Sequence, residues 1–210
     1  LLLKTKRFRW WWSLGIPVGL GIGALAAIWL RTSPDDGGVL RRGMLVDMAF
    51  ARAVDPPLAS AAAGRTPFLL VIFGYTHCPD VCPTTLVAVQ RILTGLGPRA
   101  DAVVPVFVTV DPQRDAPERL KSFVAAFDPR IRIVAEPDAV RLAMKAFRAQ
   151  AIRRPTANSD DYAVDHTAVL YVLDPDHRVI GVVPEVAPPA RVIQNTLDAL
   201  RQSAAFPQAP

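Results

Sequence analysis

The sequence predicts one α/β domain, a mixed β-sheet flanked by helices on both faces, behind one N-terminal transmembrane helix. Three observations carry this expectation. Apolar runs of strand character alternate with segments of helical spacing along most of the chain. The last two strand-like runs are joined by a short turn, so they are antiparallel and the sheet is not wholly parallel. An uncharged stretch of 21 residues, Trp10 to Leu30, precedes all of this.

That stretch, WWWSLGIPVGLGIGALAAIWL, has the length that spans a hydrocarbon core about 30 Å thick at a rise of about 1.5 Å per residue. Tryptophans stand at both ends of it, where indole rings prefer the interface. Lys4, Lys6, Arg7 and Arg9 precede it, and Asp35 and Asp36 follow soon after. By the positive-inside rule residues 1–9 are a cytoplasmic basic tail and the remainder of the chain is periplasmic. A cleaved signal peptide is the competing reading, against which the apolar stretch is long for an h-region. Gly15, Gly19 and Gly23 form a small-xxx-small ridge through which two anchors could pair as a homodimer, or which serves an unpartnered anchor equally well.

Residues 31–43, polar and rich in Gly and Asp, read as a linker. The domain is expected over 44–210, although 44–67 is Ala-rich, broken by prolines and without a sustained period. Phe68–Tyr75 (FLLVIFGY) reads as a strand buried on both faces. Thr84–Leu96 places Leu86, Val89, Leu93 and Leu96 at helical spacing. Val103–Val110 is a second buried strand, Pro117–Phe127 a helix, Ile131–Ala135 a short strand and Asp138–Gln150 an amphipathic helix. Residues 151–161 are polar and read as a loop. Thr167–Leu173 and Val179–Val183 are strands flanking the turn Asp174-Pro175-Asp176-His177, and Ala190–Gln202 closes as a helix.

Composition excludes several classes. With 51% hydrophobic residues the chain is not disordered throughout. Two cysteines neither staple a small scaffold nor form a four-cysteine zinc site. The sequence pI near 9.7 suggests nucleic acid, but the charge is terminal. Residues 10–210 hold 20 cations against 19 acids, so no nucleic-acid face is indicated. Phosphate-binding, dinucleotide-binding and zinc-protease motifs are absent.

Both cysteines lie in Gly74-Tyr75-Thr76-His77-Cys78-Pro79-Asp80-Val81-Cys82-Pro83, between a buried strand and a helix. Four-residue spacing puts both sulfurs on one face of the first turn, where a helix N-terminus lowers thiol pKa. Two such thiolates suit each other or a soft ion; the bland alternative is a pair of small core residues. A third ligand would come from elsewhere in the chain. His166 precedes the strand TAVLYVL, His177 is in a turn and is expected to be solvated, and His77 adjoins Cys78 off the i, i+4 face.

FGYTHCPDVCPTTL, VDPQRD (Val110–Asp115) and VDHTAVLYVLDP (Val164–Pro175) resemble, in order, the signature blocks of the Sco/SenC proteins. These are membrane-anchored copper metallochaperones of thioredoxin-like fold that serve cytochrome c oxidase assembly. The resemblance covers about residues 68–202. It implies copper as cargo, as Cu(I) with Cu(II) as the alternative, with Cys78, Cys82 and His166 as ligands and Asp80 and the Asp111–Asp115 loop nearby. It also implies that Cys78 and Cys82 can form a redox-active disulfide. The implied acceptor is the dinuclear copper centre of cytochrome c oxidase subunit II, or another copper acceptor, met outside the bacterial inner membrane. A thiol–disulfide oxidoreductase that reduces the acceptor's cysteines is the alternative. Residues 39–67 depart from the family, lacking the Gly-x-Phe-x-Leu and Asp-x-x-Gly patterns of a β-hairpin before the first buried strand.

Overall fold

The structure, a computed structural model, describes residues 40–56, 58, 66–156 and 161–207. The chain divides into Leu1–Gly38 and Val39–Pro210, and the described residues belong to the second unit. The expected tail at 1–9, the anchor at 10–30, its glycine ridge and the linker up to residue 39 lie outside them. Among the described residues no helix is long and apolar enough to cross a membrane.

Strand β1 (Phe68–Gly74) is apolar throughout because it is buried at all seven positions. Phe68, Leu70 and Ile72 face one hydrophobic layer, and Leu69, Val71 and Phe73 face another. A period-2 backbone sends successive side chains to opposite faces, so a strand covered on both sides shows no alternation in sequence. Each such side chain contributes roughly 1.5–3 kcal/mol when fully buried. Around it lie β2 (Val103–Thr109), β3 (Arg132–Val134), β6 (Val169–Leu173) and β7 (Val179–Pro184), in the order β3-β2-β1-β6-β7. The β1–β2 and β2–β3 pairs are parallel, and the β1–β6 and β6–β7 pairs are antiparallel. The mixed sheet is thus as expected.

Helices α1 (Val81–Leu96), α2 (Pro117–Ala125) and α4 (Pro189–Arg201) cover one face through Leu86, Val89, Leu93, Leu120, Val124 and Leu200. Helix α3 (Pro137–Ala146) covers the other with Ala139, Val140 and Ala143. It begins on Glu136, whose side chain accepts from the amides of Asp138 and Ala139. It ends short of the expected Gln150, with Arg148 in the left-handed region at φ 53°.

Two expectations are corrected. Ala151–Pro155 is not loop but strand β4, paired antiparallel with β5 (Tyr162–His166) in a separate two-stranded sheet. Apart from Val164, its residues are exposed or half-buried. A hairpin held by backbone pairing rather than by a buried face leaves no hydrophobic period to read. Helix α1 starts at Val81 rather than Thr84 and leaves Cys78 in the preceding loop.

No hairpin forms among the described residues before β1. Instead residues 40–56 cross one face of the sheet, with a short 3₁₀ helix at Ala49–Ala53. Leu45 bridges Arg178 beside β7, and Asp55 bridges Ile133 in β3. One segment therefore meets both edges of the five-stranded sheet. Phe50 is its buried peg, edge-on to Phe147 at 5.7 Å between centroids. Phe147 in turn packs on Phe73 at 5.5 Å and Tyr171 at 5.0 Å.

Candidate metal centre

The centre forms where β1, α1 and β5 converge. Gly74 ends β1, and a Cβ there would lie 2.8 Å from Cys82 Sγ and 2.7 Å from Phe107. Only glycine lets the sulfur approach the strand so closely. Cys82 is fully buried in the first turn of α1, while Cys78 is half-buried in the loop. The sulfurs are therefore not on one helical face as the spacing suggested. Cys78 acts as a cap instead, its Sγ accepting from the Cys82 amide at 3.4 Å.

This asymmetry separates the two thiols. The hydrogen bond from Cys82, aided by contacts to His166 and the Asp80 amide, holds Cys78 down to about 4. The same Cys78–Cys82 interaction, together with burial, pushes Cys82 well above the usual thiol range. Cys78 is the thiolate and Cys82 keeps its proton. Both cysteines are free.

His166 closes the group. Its Nδ1 lies 3.3 Å from the carbonyl oxygen of Thr167, which can only accept, so Nδ1 carries the proton. In the neutral ring Nε2 then offers its lone pair, 3.9 Å from Cys82 Sγ. Tyr75 steadies the ring edge-on at 5.9 Å, and its hydroxyl oxygen accepts from the Val164 amide on the same strand. Burial opposes the imidazolium, but contacts to Cys78 and Thr167 and the charge of Glu185 outweigh it, so His166 is raised above its ordinary value.

One donor atom each from Cys78, Cys82 and His166 lies within 4.8 Å of the others. Donors sharing one ion at roughly 2.0–2.3 Å must lie within about 4.6 Å of one another, so the group is nearly closed already. Two sulfurs and an imidazole suit a soft ion. The sequence singled out these three residues, and they are the group that forms among the described residues.

The other candidates stay outside it. His77 is exposed, and its Nδ1 lies 3.1 Å from Thr76 Oγ1. His177 sits in the β6–β7 turn at φ 61° and is half-buried rather than fully solvated. Asp115 is buried and supports the loop before Cys78 by accepting from the Thr76 amide, Thr76 Oγ1 and Thr109 Oγ1. Asp111 accepts from Tyr162 Oη and Arg114 Nε, and Arg114 also bonds Asp161 and lies 3.6 Å over the Tyr162 ring. These contacts fasten the β4–β5 hairpin, and His166 with it, to the loop after β2.

Sequence reasoning missed this clamp, along with Tyr75, Thr85 and Glu185. The parity of β7 could have revealed Glu185, because Gly181, Val183 and Glu185 are buried in alternation with less buried neighbours.

The family model described as SCO1/SenC matches residues 58–201. The chain belongs to the SCO1/SenC family. The human mitochondrial SCO2 homolog is 36% identical over 115 residues, covering 53% of this chain and 43% of that protein. The chain spans only 40%, 43% and 54% of its curated SCO relatives from Danio rerio, Homo sapiens and Rickettsia prowazekii. Bradyrhizobium japonicum ScoI, solved with copper bound, is 35% identical with a TM-score of 0.57, covering 65% of this chain and 85% of that one. Yeast Sco1 with copper bound is 26% identical with a TM-score of 0.57, covering 67% of this chain and 79% of that one. The SCO1/SenC domain here thus has the expected thioredoxin-like α/β fold.

Proposed function

We propose that this SCO1/SenC chain is a membrane-anchored copper metallochaperone with Cys78, Cys82 and His166 as the ligands. The observation that carries the reading is the convergence of their three donor atoms within 4.8 Å. Solved relatives named with copper bound support it. The buried Cys82 and the half-exposed Cys78 set the ion at the surface of the domain, where an incoming ligand can attack before release. The proposed acceptor is the dinuclear copper centre of cytochrome c oxidase subunit II or another copper acceptor. The proposed organisation is a tail at 1–9, an anchor at 10–30, a linker at 31–43 and a periplasmic SCO1/SenC domain over 44–210, with pairing through Gly15, Gly19 and Gly23.

A second reading has its own support, a depressed, accessible Cys78 beside a buried, protonated Cys82. In that role Cys78 thiolate attacks an acceptor disulfide and one acceptor thiolate leaves. Cys82 then gives up its proton and displaces the second acceptor thiol, so two electrons pass to the acceptor and a Cys78–Cys82 disulfide remains.

Anaerobic Cu(I) titration with X-ray absorption tests the first reading by counting sulfur and nitrogen donors. One ion per domain is expected, with Cys78→Ser or Cys82→Ser each abolishing tight binding, since a hydroxyl is a hard, poor ligand. Undiminished affinity in both variants refutes the site. His166→Ala separates the roles: copper delivery should fail while disulfide reduction persists. The opposite pattern makes the chain an oxidoreductase.

A further inference from the structure

Behind the three proposed ligands stands a carboxylate that neither reading uses. Glu185 follows β7, with its amide donating to the Ala168 carbonyl two residues after His166. It is 3% exposed. Its Oε2 accepts from Thr85 Oγ1 at 3.1 Å, and Thr85 lies three residues after Cys82 on α1. Its Oε1 is buried without a hydrogen-bond partner. The His166 charge favours the ionised carboxylate, and the Cys78 charge opposes it. A buried, half-satisfied acid is costly to keep, and this one is coupled to groups from both halves of the centre.

We propose that Glu185 is a positioning residue that selects the copper oxidation state, its carboxylate favouring Cu(II) over Cu(I) at the Cys78–Cys82–His166 centre. The inference rests on the copper reading above. Two thiolates and a neutral imidazole around Cu(I) leave one net negative charge, whereas around Cu(II) the centre is neutral. A nearby carboxylate repels the first form and tolerates the second. Burial lifts the Glu185 carboxyl to about 7, so the carboxylate is probed above that, at pH 8.

The test is a pair of competitive titrations at pH 8, Cu(I) under anaerobic conditions and Cu(II) in air-free buffer with freshly oxidised copper. Wild type is compared with Glu185→Gln, which keeps an oxygen to accept from Thr85. The Cu(II) to Cu(I) affinity ratio should fall about tenfold, the order expected when one unit charge is removed beside a partly buried centre. The one-electron potential should rise by about 59 mV per tenfold change. Thr85→Val retains the carboxylate but removes its hydrogen bond, and should shift the ratio the same way by less. An unchanged ratio, or equal loss of both affinities, overturns the proposal while leaving the copper reading intact. Failure of wild type to bind either ion overturns both.

Discussion

Cys78 and Cys82 differ although each is a cysteine four residues from the other. Cys78 Sγ accepts from the amide of Cys82 ahead of α1, while Cys82 is fully enclosed. For the depressed thiol the sign is direct: with its pKa near 4, Cys78 remains thiolate as pH falls from 8 to 5 and is lost only near 4. Iodoacetamide at pH 5 should therefore alkylate Cys78 in the folded apo chain and spare Cys82. An unfolded control, with thiols near 8.5, should react much more slowly. Peptide mass spectrometry checks this, and equal labelling of both cysteines at pH 5 contradicts it. The cysteine pair was legible from residue type and spacing, whereas His166 stood out from His77 and His177 only through the resemblance of its block, Val164–Pro175. Which thiol carries the charge was not, since that depends on where α1 begins.

At the scale of elements, the β4–β5 hairpin brings His166 to the cysteines. Few of its side chains are buried, and Arg114 does much of the fastening through Asp111, Asp161 and the face of Tyr162. Asp111 is wholly buried, so removing Arg114 strips a close cationic partner from an enclosed carboxylate. Such losses cost about 3–5 kcal/mol when no other partner remains. Tyr162 and Arg153 also face Asp111, so Arg114→Ala should cost less, about 2 kcal/mol. Amide exchange should quicken in 151–155 and 162–166 before it does in β1. Uniform protection of the hairpin in that variant would show that other contacts suffice. The sequence hid this element because strands without a buried face carry no period.

Taken whole, the chain joins the proposed anchor over 10–30 to the SCO1/SenC domain. The proposed orientation predicts that a periplasm-dependent reporter fused after Pro210 is active when the full-length fusion sits in the inner membrane. A fusion active only as a cytoplasmic reporter reverses the topology. The sequence by itself determined the mixed α/β architecture, because buried strands and amphipathic helices must declare their apolar surface. Through the family resemblance they carry, its motifs also named Cys78, Cys82 and His166 as the candidate ligands. Tertiary structure alone decided their convergence from 78, 82 and 166, the clamp that holds the hairpin, and the course of residues 40–56 across the sheet. It also placed Glu185 behind the centre, bonded to Thr85 from a distant helix. The physical reason is that periodicity reports which face of an element is buried, whereas contacts between polar groups far apart in sequence leave no periodic trace.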